Sequence, residues 1–377
     1  MRYDERLGMR VLILTASYGS GHNAAARSLA GALTAGGASV TVVDHFRDLV
    51  HPAFDRITRA LYAWTLRRAP GAWGLAYGIG DRLSSDSRWA FGVPCLGASR
   101  LGRLLDTLTP DAVVSVHATP TVALSTLARE GRRVPPHTTV VTDFVAHSQW
   151  IAPGVDRYCV AAQEVKHDFV ARGIAPDRVI VTGVPVRDGF EPPRDQLAAR
   201  RALGVSPDLP LVLAMAGAQG SFGRLLDVAR ALIDLRAPVQ ALVVAGHDAE
   251  LAARIGRLTA GRSIRVFGFV DDVRPLMAAA DVLVSKAGGM TLAEAMAAEL
   301  PLLTYASLPG QERRNERFAS RAGIALVARR RRELDQALER ALSEPKLLEG
   351  LRAQMRGVRR PDASRHIASL VLERALA

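Results

Sequence analysis

The sequence predicts an α/β protein with two parallel β-sheets, each covered by helices on both faces. Short apolar runs alternate with helical stretches along the chain, and this alternation is typical of parallel strands joined by helical crossovers. The pattern occurs twice, and each half opens with a strand that runs into a glycine-rich turn and a helix. With 377 residues, the chain is long enough for two domains of ordinary size.

The first half is expected to form one domain that spans residues 1–187. Its first strand, Arg10–Ala16, leads into a glycine-rich turn and a helix predicted from about Asn23 to Ala35. This order of strand, turn and helix is the start of a Rossmann-like unit. The other strands of this half are predicted at Val40–Val43, Ala112–Val116, Thr138–Thr142, Arg157–Val160 and Val179–Thr182.

A second Rossmann-like domain is expected at residues 207–355, followed by a C-terminal helical segment at 356–377. The sequence between the two domains is rich in proline and charge, so we place a linker at 188–206. Two such domains leave a cleft between them, where ligands of these folds bind. The strands of the second half are predicted at Leu211–Ala216, Val239–Ala245, Ile264–Phe267, Val282–Ser285 and Leu302–Tyr305.

The composition limits the classes of function. A net charge of +12 favours an anionic partner, which could be nucleic acid, a phosphorylated metabolite or an acidic membrane. The two cysteines, Cys95 and Cys159, are far apart, which argues against a disulfide framework or zinc site and indicates the reducing cytosol. No run of 18 apolar residues occurs, so no membrane-spanning segment is predicted.

The first motif with chemical meaning is GSGH, Gly19–His22, directly after the first strand. Its glycines allow a sharp turn and a close approach to a ligand, and the following helix presents its N-terminal amides there. Asp44 stands about 20 residues further on, as a ribose-binding acid would, but the third glycine of GxGxxG is absent. His22 is either a general base for an acceptor hydroxyl or a histidine that caps the helix.

Three further motifs follow strands of the second half. The glycines of Gly217–Gly223 suit a cradle of backbone amides for a diphosphate, and a plain strand-to-helix turn, which needs fewer glycines, is the alternative. Gly288-Gly289 opens a helix in which Glu294 either accepts hydrogen bonds from ribose hydroxyls or is a surface acid favoured by the helix dipole. The amide and carboxylate groups of Leu308–Asn315 suit a sugar, although a lone PGQE is also an ordinary turn.

Polar residues also follow two strands of the first half. His117 comes after one strand, and Asp143 and His147 after another. They could hold an anionic lipid headgroup or orient the acceptor, and structural histidines are the alternative. A metal site would need a third well-placed ligand.

Taken in order, these motifs resemble those of one family. GSGH, TDF…H..W, VIVTGVPVRDGF, KAGGMTLAEA and PGQE..N resemble the monogalactosyldiacylglycerol synthases and processive diacylglycerol glucosyltransferases of bacteria and plastids. More distantly, they are similar to the N-acetylglucosaminyltransferase of peptidoglycan lipid synthesis. The resemblance runs from about Val11 to Val327. It implies a GT-B fold of two Rossmann-like domains that face each other across a cleft, with a C-terminal helix that crosses back to the N-terminal domain.

The resemblance also implies roles for single residues. His22 would be the general base, Glu294 would bind ribose, and Gln311 with Glu312 would contact the donor sugar. One departure is Ala287, which stands where the family has proline and is expected to loosen the turn. Other expected donor-binding residues are Gly217, Gln219, Gly220, Ser221, Phe269, Val270, Gly288, Gly289, Met290 and Thr291. The expected acceptor-binding residues are Gly21, His117, Asp143, His147 and Trp150.

The resemblance therefore implies an inverting hexosyltransferase. It would move a hexose from a UDP-sugar to a diacylglycerol-type lipid and form a β-glycolipid, without a metal or other cofactor. The absence of an Asp-x-Asp sequence is consistent with metal independence. The alternatives are transfer of N-acetylglucosamine to a polyprenyl-diphosphate lipid and transfer to a non-lipid acceptor.

The segment from Arg56 to Arg88 is the candidate membrane contact. Aromatic and basic residues without spanning length suit an interfacial segment, and a helix pair packed on its own domain is the alternative. The expected location is cytoplasmic and peripheral, on an anionic inner membrane face. Nucleic acid is not expected as a partner, because no RNP-like motif, zinc finger or basic tail occurs. The residues concerned are Tyr62, Trp64, Trp73 and Tyr77, with Arg59, Arg67, Arg68 and Arg82.

Overall fold

The computed structural model contains two six-stranded parallel β-sheets flanked by helices. The α/β class predicted from the alternating pattern is therefore confirmed. The structure describes residues 8–17, 20–82, 96–190, 195–218 and 224–376. The chain divides into a first unit, Met1–Thr65, Ala72–Arg187 and Asp362–Ala377, and a second unit, Leu66–Gly71 and Asp188–Pro361.

The sheet of the first unit has the strand order β2-β1-β3-β4-β5-β6. All of its neighbouring strands are parallel, and β1 pairs with both β2 and β3. The strands are β1 (Arg10–Thr15), β2 (Ser39–Asp44), β3 (Ala112–Ser115), β4 (His137–Val140), β5 (Arg157–Val160) and β6 (Val179–Val181). The helices that follow them are α1 (Ser20–Ala35), α2 (Pro52–Arg68), α3 (Pro70–Arg82), α4 (Ala98–Leu108), α5 (Ala118–Arg129) and α6 (Gln163–Ala171).

Strand β1 is buried on both faces, which explains its continuous apolar sequence. Successive side chains of a strand point to opposite faces of the sheet. Val11 and Ile13 accordingly pack with α1, whereas Leu12 and Leu14 pack with α4 and α5. The strand therefore contributes side chains to two hydrophobic layers, one on each face of the sheet. Helix α1 follows β1 in the chain, so it begins near the carboxyl end of that strand.

The sheet of the second unit has the order β12-β11-β10-β7-β8-β9, again with parallel neighbours. Its strands are β7 (Leu211–Met215), β8 (Gln240–Val244), β9 (Ile264–Phe267), β10 (Val282–Ser285), β11 (Leu302–Tyr305) and β12 (Ala325–Ala328). Its helices are α7 (Gln196–Leu203), α8 (Leu225–Asp234), α9 (Ala249–Leu258), α10 (Arg274–Ala279), α11 (Gly289–Ala297), α12 (Gln311–Arg321), α13 (Arg331–Ser343) and α14 (Pro345–Val358).

Two features of the second unit differ from the sequence-based expectation. Strand β12 was not expected, because its sequence is only Ala-Leu-Val-Ala and a run of arginines follows it; it forms by pairing with β11. The range 188–206, expected as a linker, contains α7. The buried guanidinium of Arg200 on α7 bonds to the Asp281 carboxylate at 2.7 Å and anchors this helix on the second unit.

The last helix, α15 (Ala363–Leu376), belongs to the first unit and packs against α1. The Ser364 hydroxyl lies 2.7 Å from the Ser28 hydroxyl of α1, and the Arg157 guanidinium donates to the Leu370 carbonyl. The chain therefore returns at its end to the unit in which it began. Among the described helices, none combines the length and the apolar character needed to cross a membrane.

Candidate active site

The candidate site of the first unit lies at the carboxyl ends of β1, β3 and β4, which are neighbours in the sheet. His22 lies in the first turn of α1, after β1, and directly follows Gly21. His117 follows β3 and caps the N-terminus of α5, and Asp143 follows β4. Because parallel strands end at the same edge of a sheet, the fold brings these three residues together.

The ring of His22 is held in one tautomer. Its Nδ1 lies 2.9 Å from the carbonyl oxygen of Val116 and 3.0 Å from the hydroxyl of Thr142. A carbonyl oxygen can only accept a hydrogen bond, so Nδ1 carries the proton and donates it. The other ring nitrogen, Nε2, is then the proton acceptor of the neutral imidazole. This is the arrangement that a general base requires.

Burial lowers the pKa of His22 below its ordinary value of 6.5. The negative charge of Asp143 and the hydrogen bond to the Val116 carbonyl act in the opposite direction and raise this pKa. Since burial is the largest influence, the imidazole is neutral at pH 7 and is able to accept a proton. Asp143 would in turn stabilise the imidazolium that forms.

The rings of His117 and Trp150 flank His22. The ring centroids of His22 and His117 are 4.7 Å apart in an edge arrangement, and that of Trp150 is 6.3 Å from His22. Nδ1 of His117 accepts a hydrogen bond from the Thr119 amide, so the proton of its neutral ring is on Nε2. Burial, and then the charges of neighbouring histidines, hold the pKa of His117 well below 6.5.

Both ring nitrogens of His147 bond within the protein. Nδ1 accepts from the Gln149 amide at 3.1 Å, and Nε2 lies 3.1 Å from the carbonyl oxygen of Tyr77 and donates to it. The buried ring therefore fastens α3 to the loop after β4. These two bonds are those of a structural histidine, and the contact of His147 with the acceptor stays a prediction.

A polar network that sequence reasoning missed fixes the start of α1. The Thr15 hydroxyl donates to the Asn23 side-chain oxygen at 2.9 Å, and the Asn23 amide donates to the Ser17 hydroxyl at 3.0 Å. Ser17 then donates to the carboxylate of Asp44. Asp44 also caps the π-helical turn at His45–Val50 through two backbone amides. Asp44, the acid considered for ribose binding, is thus connected through Ser17 to Asn23 of α1, the residue next to His22.

The candidate site of the second unit lies at the carboxyl ends of β7, β10 and β11, which are also neighbours. Gly217 follows β7 with a φ of +75°, a backbone conformation that favours glycine. A Cβ on Gly246 would lie 2.4 Å from the Gly217 carbonyl oxygen, so the two loops pack backbone against backbone. The predicted donor-binding residues Gln219, Gly220 and Ser221 lie outside the described residues.

The second glycine motif forms the start of α11. Gly288 is the N-cap residue, and Gly289, Met290 and Thr291 form the first turn. Glu294 follows in the second turn and is partly buried. The free amides of the first turn and the helix dipole favour an anion at this end of the helix.

Ala287, just before this helix, makes hydrogen bonds through both of its backbone polar groups. Its amide donates to the Ser307 hydroxyl at 3.2 Å, and its carbonyl accepts from the Asn315 side chain at 3.2 Å. A proline has no N–H and could not make the first bond. The first of these bonds is therefore specific to a residue with an N–H, and the looser turn expected for alanine stays a prediction.

The third motif joins the second through an ion pair. Gln311 and Glu312 begin α12, and the Glu312 carboxylate bonds the ammonium of Lys286, next to Ala287. The other oxygen of Glu312 accepts from the Leu308 amide at 2.9 Å. The predicted sugar-contacting carboxylate therefore has a fixed orientation.

Phe269 and Val270 follow β9. The exposed ring of Phe269 stacks on His247, with the ring centroids 4.1 Å apart and the planes inclined by 12°. The His247 amide donates to the Ala218 carbonyl, so this aromatic pair is tied to the glycine-rich turn. Sequence reasoning missed His247, although its place directly after β8 was a usable signal. No group of three or more metal-type ligands occurs among the described residues of either unit.

Comparison with known proteins relates both halves to glycosyltransferases. A family model for monogalactosyldiacylglycerol (MGDG) synthase matches residues 22–186, and one for group 1 glycosyl transferases matches residues 212–357. The processive diacylglycerol beta-glucosyltransferase of Bacillus cytotoxicus is 30% identical over 366 residues, covering 97% of this chain and 93% of that protein. That of Bacillus subtilis is 29% identical, covering 97% of this chain and 95% of that protein.

Solved structures show the same fold at low sequence identity. MurG of Acinetobacter baumannii superposes with a TM-score of 0.65 at 15% identity, covering 97% of this chain and 99% of that chain. The glycotransferase of kitacinnamycin has a TM-score of 0.66 at 14% identity, covering 99% of this chain and 100% of that chain. The fold is therefore that of the GT-B glycosyltransferases, as the sequence motifs predicted.

Proposed function

Because this chain belongs to the processive diacylglycerol β-glucosyltransferase family, we propose that it transfers a hexose from a UDP-sugar to a diacylglycerol-type lipid. The observation that carries the proposal is the similarity over the full length, since it includes both the half expected to bind the acceptor and the half expected to bind the donor. The same similarity favours this reaction over transfer of N-acetylglucosamine to a polyprenyl diphosphate.

The chemistry of the first unit suits activation of an alcohol. Nε2 of His22 would accept the proton of the lipid hydroxyl while the hydroxyl oxygen bonds to the anomeric carbon of the sugar. The bond from that carbon to the β-phosphate oxygen breaks, and its electron pair leaves with UDP. A single displacement of this kind inverts the anomeric centre and gives a β-glycoside. Asp143 would stabilise the transient imidazolium, as its effect on the pKa of His22 indicates.

The chemistry of the second unit suits a nucleotide sugar. The carboxylate of Glu294 would accept hydrogen bonds from the ribose hydroxyls, and the amides at the start of α11 would favour the diphosphate. Gln311 and Glu312, at the start of α12, would contact the hexose. We propose that the leaving diphosphate is stabilised by these groups without a divalent cation.

A direct transfer assay tests this function. Purified protein is offered UDP-glucose, UDP-galactose or UDP-N-acetylglucosamine, each with diacylglycerol and, in a parallel reaction, with a polyprenyl-diphosphate lipid. The products are resolved by mass and by the NMR coupling of the anomeric proton. We expect a β-linked hexosyl diacylglycerol whose rate of formation does not change with EDTA. A product found only with UDP-N-acetylglucosamine and a polyprenyl diphosphate would overturn the diacylglycerol assignment.

We further propose that helices α2 and α3 contact the membrane. Ile57, Leu61 and Trp64 recur at helical spacing on α2, and each is more than half exposed. Leu75 and Ile79 of α3 are similarly exposed. An exposed apolar surface of this kind is a recognised feature of membrane and protein interaction sites.

The expected aromatic contacts at this surface need revision. Of the four aromatic residues predicted there, Trp64 is the exposed one. Tyr62 and Trp73 instead pack against each other with ring centroids 4.9 Å apart, and Tyr77 packs against His147. The packed rings hold the two helices in place, so leucine and isoleucine supply most of the exposed apolar surface. Residues 83–88 and the side chains of Arg67 and Arg82 lie outside the described part of the structure.

Replacing Ile57, Leu61 and Trp64 together with serine should reduce binding to anionic vesicles by about a hundredfold or more. Full burial of each such side chain contributes about 1.5–3 kcal/mol, so even partial insertion of three gives this effect. The control is Leu197→Ser on α7, which removes an equally exposed leucine from the second unit. Sedimentation with vesicles at several salt concentrations measures both variants. Equal binding of the triple variant and the control would exclude this surface.

A further inference from the structure

Lys286 opens the KAGGMTLAEA motif, and the resemblance gives it no role, but its surroundings suggest one. It follows β10, which lies in the sheet between β7 and β11. The strand order therefore places it between Gly217, after β7, and the start of α12, after β11. Its Cε lies 3.5 Å from where a Cβ on Gly217 would be, and its ammonium bonds the carboxylate of Glu312.

The ion pair between Lys286 and Glu312 is largely withdrawn from solvent. The two side chains are 16% and 14% exposed, respectively. Removing two charges from water offsets most of the energy that their attraction provides, so such a pair contributes little net stability. An anionic ligand beside Gly217 would give the ammonium a second partner and the lysine a function.

We propose that Lys286 is a catalytic residue that bonds the β-phosphate of the UDP leaving group, and that Glu312 positions it. The proposal rests on the function proposed above. When the bond from the anomeric carbon to the β-phosphate oxygen breaks, the electron pair stays on that oxygen and its negative charge rises. The ammonium stabilises this charge without transferring a proton, which is the role that a divalent cation fills in other enzymes.

The geometry allows both partners at once. An ammonium group has three N–H donors, so Lys286 can keep its bond to Glu312 and still donate to a phosphate oxygen. The Leu308 amide holds the second oxygen of Glu312, which keeps the carboxylate from turning away. Glu312 therefore aligns the ammonium and also competes with the phosphate for it. Because of this competition, substitution of Lys286 should weaken UDP binding, whereas substitution of Glu312 should not.

Calorimetric titration with UDP and UMP tests the proposal, because only UDP carries the β-phosphate. Lys286→Met should weaken UDP binding by about tenfold to a hundredfold, as expected for loss of a charge-assisted hydrogen bond, and leave UMP binding unchanged. Lys286→Arg should retain most of the UDP affinity. Glu312→Gln should leave UDP binding unchanged or tighter, since it removes the competing anion. The kcat for transfer should fall further than UDP affinity in Lys286→Met.

Each other outcome has a definite meaning. Equal losses of UDP and UMP affinity in Lys286→Met, or no loss of either, would assign the lysine a structural role and overturn the proposal. Normal UMP binding also shows that the variant is folded at this site. If wild-type protein and Lys286→Met bind UDP and transfer sugar equally well, the role proposed for Lys286 is wrong and the proposed function stands. If the wild-type protein does not bind UDP, both the proposed function and the role of Lys286 are wrong.

Discussion

Replacing His22 with alanine should lower kcat for lipid glycosylation by about 10²–10⁴-fold, the usual contribution of a general base. The reason is that Nε2 is the proton-accepting atom of a ring whose other nitrogen donates to the Val116 carbonyl. The affinity for UDP should not change, because the residues expected to bind UDP belong to the second unit. Initial rates and calorimetric titration with UDP measure the two quantities separately.

The matched control for this variant is His167→Ala, which removes an exposed histidine from α6 of the same unit. It should leave kcat near the wild-type value. The wild-type enzyme offers an independent readout through pH. A base must be deprotonated to act, and burial lowers the pKa of His22, so kcat/KM should be full at neutral pH and fall only below pH 6.5. A His22→Ala enzyme with near wild-type kcat would rule out the base assignment.

The strands that could be predicted from sequence are those whose apolar character is continuous. The run Val11–Leu14 is such a strand, because both of its faces are buried against helices. Strand β12 could not be predicted, because two of its four residues are alanine and its conformation depends on pairing with β11. The helix α7 was missed for a related reason: its attachment depends on Asp281, which is 81 residues from Arg200.

The roles of the three histidines are a part of the site that could not be predicted from the sequence. His22, His117 and His147 all follow strands of the first sheet, so their positions in the sequence could not distinguish their roles. The structure shows how the rings are held: His147 bonds the protein through both ring nitrogens, whereas the bonds of His22 to other described residues are made by Nδ1. Hydrogen bonds to backbone atoms distant in sequence decide this, and no local motif encodes them.

In the second unit, the contacts of Ala287 and Lys286 likewise depend on residues that are distant in the sequence. An alanine in place of the family's proline suggested a looser turn, since the Ser307 hydroxyl that bonds its amide lies 20 residues away. Lys286 was part of a motif but had no visible partner, because Glu312 is 26 residues further along the chain. A sequence therefore indicates which strand ends carry a site, and the packing of adjacent strands determines which side chains meet there.

Replacing Glu294 with alanine should weaken binding of UDP and UDP-glucose by about 10²–10⁴-fold, with a smaller effect on kcat at saturating donor. A carboxylate that accepts two hydrogen bonds from ribose contributes about 1.5–3 kcal/mol for each bond when the acceptor is charged. The 2′-deoxy analogue of UDP separates this role from others. Wild-type protein should bind the analogue more weakly than UDP, and Glu294→Ala should bind the two nucleotides almost equally.

The alternative role of Glu294 is that of an acid favoured by the dipole of α11. Glu250→Ala is the matched control, since it removes an exposed acid from the first turn of α9 in the same unit. A helix-dipole role predicts that both substitutions lower the melting temperature slightly and that neither changes nucleotide binding. Loss of discrimination between UDP and its 2′-deoxy analogue in Glu294→Ala alone would therefore identify a ribose ligand, whereas retained discrimination would leave Glu294 as a surface acid and remove it from the donor site.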